Sequence, residues 1–141
     1  MAQTANVTSA ALQELGEQEC LRLISPGGVG RVAFGSATGP VVLPVNYRIV
    51  DGAIVFRTRP GGAMDKDLRT GIKGLDIRIA FQVDEIDKTA HQGWSVLIQG
   101  PAHHADEAET RPHFKSWAGG ERDHYVRIVP LRITGRRIGS L

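Results

Sequence analysis

Between residues 76 and 83 the chain alternates strictly: Ile77, Ile79, Phe81 and Val83 fall on one side, Arg78, Ala80 and Gln82 on the other. A period of two puts one face on a core, so this segment predicts a half-buried strand. Residues 29–34 and 41–50 are also β-rich, and Ala37-Thr38-Gly39-Pro40 forms a turn between them. Residues 53–59 follow Asp51-Gly52, a dipeptide that favours a type I′ hairpin turn. A long strand is expected at 93–104, and two more at 123–131 and 132–138. Helical spacing is confined to short pieces. Leu12, Leu15, Leu21, Leu23 and Ile24 suggest helix over residues 8–24, divided at Gly16 and stopped by Ser25-Pro26-Gly27-Gly28. Met64 and Leu68 lie on one face of a short helix at 63–70, after the break at Pro60-Gly61-Gly62. A further short helix is expected within 105–115. Residues 84–92 read as a polar connection, and Trp117-Ala118-Gly119-Gly120 as a turn. About seven strands in hairpin and meander order, without regular βαβ alternation, predict a mainly β fold. It is an antiparallel barrel or sandwich with a few short peripheral helices. No strand leads into a Gly-x-Gly-x-x-Gly helix turn, which excludes a Rossmann domain.

Composition narrows the function classes. A chain of 141 residues suits one domain. We divide it into a flexible N-terminus, 1–10, and a single domain, 11–141. Cys20 is the only cysteine, so no internal disulfide forms, and its amphipathic setting reads as a core thiol. The first nine residues carry no positive side chain, unlike a secretory or transit peptide. No apolar run approaches the ~20 residues that cross a bilayer. A cytoplasmic location without membrane contact is therefore expected. The net charge is +2, and residues 127–141 hold four arginines and no acid. Those arginines interleave with Ile128, Val129, Leu131, Ile133 and Ile138, which describes strands better than a nucleic-acid-binding arm. His103 and His104 are adjacent and point to opposite faces of a strand, so no metal site is expected. Asp84, Glu85 and Asp87 read as solvent-facing, and neither Ser25 nor Ser36 sits in a Gly-x-Ser-x-Gly elbow.

Three segments carry candidate chemistry. In Val41-Val42-Leu43-Pro44-Val45-Asn46-Tyr47 the proline cannot donate a ladder hydrogen bond, so it belongs at an edge or a bulge. Asn46 and Tyr47 then offer an amide and a phenol on opposite sides. The strand Ile54-Val55-Phe56-Arg57-Thr58-Arg59 ends just before a glycine pair and a helix. A guanidinium, a hydroxyl and a helix start make a phosphate cradle, with Lys66 one helical turn on. Trp94 and Ser95 open the strand that runs into Gly100-Pro101-Ala102, where the serine can reach a ligand.

With Gly30-Arg31-Val32-Ala33, Ala80-Phe81-Gln82-Val83-Asp84 and Ile133-Thr134-Gly135-Arg136-Arg137-Ile138, these segments resemble the pyridoxamine 5′-phosphate oxidase-like, FMN-binding split-barrel proteins. The resemblance runs from about Leu12 to Ile138. It implies an antiparallel Greek-key split β-barrel that forms a homodimer, with FMN in clefts between subunits. Val45, Asn46 and Tyr47 would then touch the flavin ring, and Arg57 and Thr58 would hold the phosphate or ribityl chain. Ser95 fills a slot where the family often places a polar residue, with Trp94 beside it. The implied activity is that of an oxidoreductase acting on a small molecule through FMN, or through the deazaflavin F420. The alternative is a non-catalytic module that binds or stores flavin, F420 or heme. One departure stands out. Ala63 occupies the place of a phosphate-binding lysine, which Lys66 or Arg59 would have to replace. One charge-assisted bond to phosphate is worth about 1.5–3 kcal/mol, or roughly one to two decades of affinity. The substrate-gripping arginine of the vitamin oxidases has no match in Gly135-Arg136-Arg137-Ile138, so the vitamin reaction itself is not expected.

Overall fold

The computed structural model describes residues 12–58, 77–105 and 124–139. Within them the chain forms β1 (Leu12–Leu15), α1 (Glu17–Ile24), β2 (Gly28–Ser36), β3 (Gly39–Val50) and β4 (Ala53–Thr58). Then come β5 (Ile77–Asp87), β6 (Gln92–Ala105), β7 (His124–Ile128) and β8 (Arg132–Ile138). All pairings are antiparallel. The order β6-β5-β2-β3-β4-β7 closes on itself through β6–β7 into a six-stranded barrel, and β8 and β1 extend from β6.

The barrel splits because β6 serves two neighbours on one side. Its first half, Gly93 to Gln99, pairs with β8, and its last part, Ala102 to Ala105, pairs with β7. The switch falls at Gly100-Pro101. The Val129 N–H donates to the Pro101 carbonyl at 3.1 Å and the Leu131 N–H to the Gln99 carbonyl at 2.9 Å. The link between β7 and β8 thus passes directly over Gly100, where a β carbon would stand 1.9 Å from the Val129 carbonyl oxygen.

Strand alternation fills the interior. Val32, Tyr47, Phe56, Phe81, Val96, Ile98, Val126 and Ile128 meet inside the barrel, joined by Cys20 and Ile24 from α1. Asp51 and Gly52 both adopt positive φ, 51° and 77°, as a type I′ turn requires. Only Tyr47 to Val50 of β3 pair with β4. Pro44 therefore lies where β3 has β2 on one side and, among the described residues, no strand on the other, in keeping with its missing donor.

Two expectations are corrected. Leu12 to Leu15 is strand rather than the first piece of a helix, because its four residues pair with the outer edge of β8. Tertiary pairing here outweighs a helical spacing too short to nucleate. The strand expected to end at Val83 runs on to Asp87, since its partner β6 begins early enough to pair with it through Gln92. The helices expected at 63–70 and within 105–115, and the turn at 117–120, lie outside the described residues.

The helix α1 is pinned from both sides. Cys20 and Ile24 are fully buried, and burial pushes the Cys20 thiol up from its ordinary pKa. Outside, the Arg137 guanidinium of β8 donates to Glu19 at 3.1 Å. Arg22 also grips Glu19 and, with Arg137, holds its carboxyl below the usual range. Among the described residues no helix is long and apolar enough to cross a membrane.

Candidate cofactor site

The two-residue period of β3 divides the candidate residues between two faces. Val45 and Tyr47 point inward. Val45 packs against the core. Tyr47 is 1% exposed, stands edge-on to Phe81 with ring centroids 4.9 Å apart, and donates its hydroxyl to the Ile24 carbonyl at 2.8 Å. Its phenol thus ties the barrel wall to the end of α1. Burial pushes its pKa up to about 12. Asn46, one residue earlier, is exposed on the outer face. Asn46 is thus available on the outer face, while Tyr47 belongs to the core.

This placement of Tyr47 gives a sharp expectation. Tyr47→Phe leaves the Ile24 carbonyl without its donor and should cost about 1–3 kcal/mol of stability, while flavin affinity stays unchanged. The pH dependence has a definite sign. A pKa raised from about 10 toward 12 favours the neutral phenol of the folded state. Its contribution is complete below about pH 10 and is lost as pH climbs toward 12. Denaturant melts of both proteins from neutral pH upward would show the gap between them closing over that window.

Arg57 on β4 lies opposite Tyr125 on β7. Tyr47 faces Phe56, and Arg57 follows one step on along β4. Arg57 and Tyr125 share one rung, and Asn46 and Arg57 each stand one residue beyond the last pair of β3 and β4. In the next rung Arg48, Val55 and Arg127 lie side by side, and His103 follows on β6. The Arg48 side chain turns aside toward Gly27 and donates to the Tyr47 carbonyl at 3.2 Å. Val55 and Tyr125 form a small outer cluster with Val50. Thr58 takes the face opposite Arg57, as the last residue of β4. Lys66 and Ala63 lie outside the described residues.

Arg127 on this face has a buried Nε that makes no hydrogen bond. An unmet buried donor costs about 1–3 kcal/mol, and more on a charged group. The phosphate of a flavin nucleotide would supply an acceptor of the kind the Arg127 Nε is without, so the residues present fit such a group. Strand periodicity alone could not single out Arg127, because its place beside Arg57 follows only from the β4–β7 register. No group of three metal-ligating side chains occurs among the described residues.

A second polar group lies across the same outer face. Gln82 on β5 donates to Asp84 at 2.8 Å and to the Ser95 hydroxyl at 3.2 Å. Arg31 on β2 stands 3.8 Å from Asp84. Accepting from Gln82 leaves the Ser95 hydrogen available to donate outward. Trp94 takes the opposite face of β6 and packs against the core. It also lines an open hollow of about 410 Å³ with Glu85, Gln92 and Arg137. Trp94 and Ser95 therefore do not share a site within one chain. Asn46 and Ser95 do share a face, but β2 and β5 lie between their strands, a span of about 14 Å along the sheet.

The sequence profile of pyridoxamine 5′-phosphate oxidase matches residues 16–137, which takes in α1 and every strand from β2 to β7 and nearly all of β8. The chain belongs to the pyridoxamine 5′-phosphate oxidase family. The uncharacterized protein Rv0080 of Mycobacterium tuberculosis is 31% identical over 129 residues, covering 89% of this chain and 84% of its own. Among solved structures, the FAD binding protein from Mycobacterium smegmatis is 26% identical with a TM-score of 0.73, over 92% of this chain and 100% of that one. A FAD-binding protein from Mesorhizobium loti, 21% identical, shares the fold at a TM-score of 0.73, over 91% of this chain and 99% of that one. The split six-stranded barrel of this family member is thus shared across nearly the full length of those chains.

Proposed function

We propose that this protein binds a flavin nucleotide on its outer barrel face and works as a flavin-dependent oxidoreductase on a small molecule. The observation that carries the reading is the pair of Arg57 and Tyr125, one residue past the Tyr47–Phe56 pair, set on a flavin-binding family's barrel. The FAD-binding relative from Mycobacterium smegmatis adds support. Arg57 answers the phosphate, whose charge-assisted bonds are the strong ones. Asn46 offers an amide to the polar edge of the ring. A bound flavin supplies the redox chemistry itself, and the protein orients it and shapes its electrostatics.

The site also calls for a second copy of the chain. Val29 and Val42 are 62% and 60% exposed on the outer face of β2 and β3, apolar positions of the kind a two-fold interface covers. Asn46 and Ser95 are far apart in one chain. A cleft between two copies would close that gap, with Ser95 donating from one wall and Asn46 from the other.

A non-catalytic binding module is the second reading, favoured by Ala63 in place of the family's lysine. The test is fluorescence titration with FMN and riboflavin, followed by anaerobic addition of NADH or NADPH. Tighter binding of FMN than of riboflavin, then bleaching of the bound flavin, is expected for the enzyme. Binding without reduction by either donor favours the module. Equal affinity for FMN and riboflavin would remove the phosphate role given to Arg57.

A further inference from the structure

Further round the barrel, the outer surface of β2, β5, β6 and β8 carries a hollow of about 530 Å³. The strand registers explain why space is left there. Ala33 pairs with Ala80, Ala80 with Gln99, and Gln99 with Arg132, so one rung crosses four strands. Val32, Phe34, Ile79 and Phe81 are buried in the barrel, which turns Ala33 and Ala80 outward. Strands usually carry branched or aromatic side chains at such positions. Gly35, on the same face of β2, has open space where a β carbon would stand. Three small residues therefore leave the sheet bare. Arg78 on β5 and Arg132 on β8, both exposed, stand at the margins of the hollow, and Gln99 on β6 lies on the strand between theirs. Exposed Leu131 adds an apolar wall.

The charge around this hollow is one-sided. Two guanidinium groups line it and no carboxylate does. Among the described residues the ion pairs join Arg22 and Arg137 to Glu19, and Arg31 to Asp84, and none involves Arg78 or Arg132. Asp84, on the same face of β5 as Arg78, is already taken by Gln82 and Arg31. Neither arginine can shed its charge, and the planar fork of each matches a carboxylate. Their strands lie two spacings apart and Arg78 stands two residues along from the Arg132 rung, so the two backbones are about 12 Å apart. Gln99 occupies the ground between. This layout suits two anionic groups on one short body better than a single compact anion. We propose that the hollow binds a short dicarboxylate, one carboxylate on Arg78 and the other on Arg132. Its carbon chain lies over Ala80 against Leu131, and the Gln99 amide stands alongside. The site needs no flavin, and it is separate from the Arg57 face.

The test uses the full chain in low-salt buffer and three probes, glutarate, butyrate and inorganic phosphate, titrated by calorimetry. Glutarate should bind saturably with one molecule for each chain, and butyrate and phosphate at least about 10-fold more weakly. Arg78→Met and Arg132→Met each remove one charge and keep the bulk. Each should weaken glutarate by about 10-fold or more and leave it no better a ligand than butyrate. Both positions are exposed, so the melting temperature without ligand should stay close to the wild type. Ala80→Leu fills the floor while keeping both arginines, and should abolish glutarate binding with an unchanged circular dichroism spectrum. Equal affinity for glutarate and butyrate overturns the proposal, as does undiminished glutarate binding in either methionine variant. Absence of saturable glutarate binding in the wild type also overturns it. If in addition the methionine variants turn a dimer into a monomer, the two arginines serve the contact between copies instead.

Discussion

Gly100→Ala should lower the unfolding free energy by about 3 kcal/mol, at the upper end of overpacking effects, and the melting temperature by roughly 10 °C. The cause is one methyl group with nowhere to go. The added carbon would meet the Val129 carbonyl oxygen at 1.9 Å, the Val129 carbonyl carbon at 3.0 Å and the Leu131 nitrogen at 3.2 Å. All three are backbone atoms, so no rotamer change relieves the contact. The flanking hydrogen bonds, Val129 to Pro101 and Leu131 to Gln99, hold the crossing chain down and must stretch if it lifts. The same crossing lets β6 leave β8 and join β7, so the strain falls on the closure of the barrel. Gly35→Ala is the matched control. Gly35 lies in β2 with open space where its β carbon would be. The same substitution there should be neutral or stabilising by about 0.4–1 kcal/mol, through the unfolded chain. Equal melting temperatures for the two variants would contradict the account of the split.

Arg57→Ala should raise the dissociation constant for FMN by roughly 10- to 100-fold, the loss of one charge-assisted bond of about 1.5–3 kcal/mol. Riboflavin, which has no phosphate, should bind both proteins alike. That contrast separates a phosphate contact from a general loosening of the barrel. Arg57→Lys should recover part of the affinity, because a lysine returns the charge but not the two-pronged geometry of a guanidinium. The effect should also shrink as salt rises, since the contact of a half-buried Arg57 is still partly screened by salt, whose screening length is about 10 Å at 0.1 M. A uniform loss for FMN and riboflavin would place Arg57 in the fold and not at the ligand.

The barrel was legible in the chain because its strands announce themselves by alternation. Ile77, Ile79, Phe81 and Val83 all face inward in β5, and Asp51-Gly52 makes the hairpin its composition foretold. The family signal came from residues of the same kind, such as Pro44 and Asn46 in β3, and the matched span includes them. At the start of the domain Leu12 and Leu15 suit a helix as well as a strand, and only the open edge of β8 decides between them. The site was half legible for a related reason. A strand's sequence tells which residues share a face but not what the face adjoins. Asn46 and Tyr47 were rightly seen to diverge, yet only the three-dimensional fold shows that Tyr47 is spent on the Ile24 carbonyl. Arg127 gave no sign at all in the sequence. Its meaning depends on the β4–β7 register and on an Nε left without a partner.

A flavin held on the outer face between two copies of this chain must sediment with a dimer. Sedimentation velocity at micromolar protein, with excess FAD and detection both in the ultraviolet and at the flavin's visible band, tests it in one run. One dimeric species that carries the visible signal, with one flavin for each chain, is expected. A monomer, or a protein boundary that sediments without colour while the flavin stays behind, would contradict it.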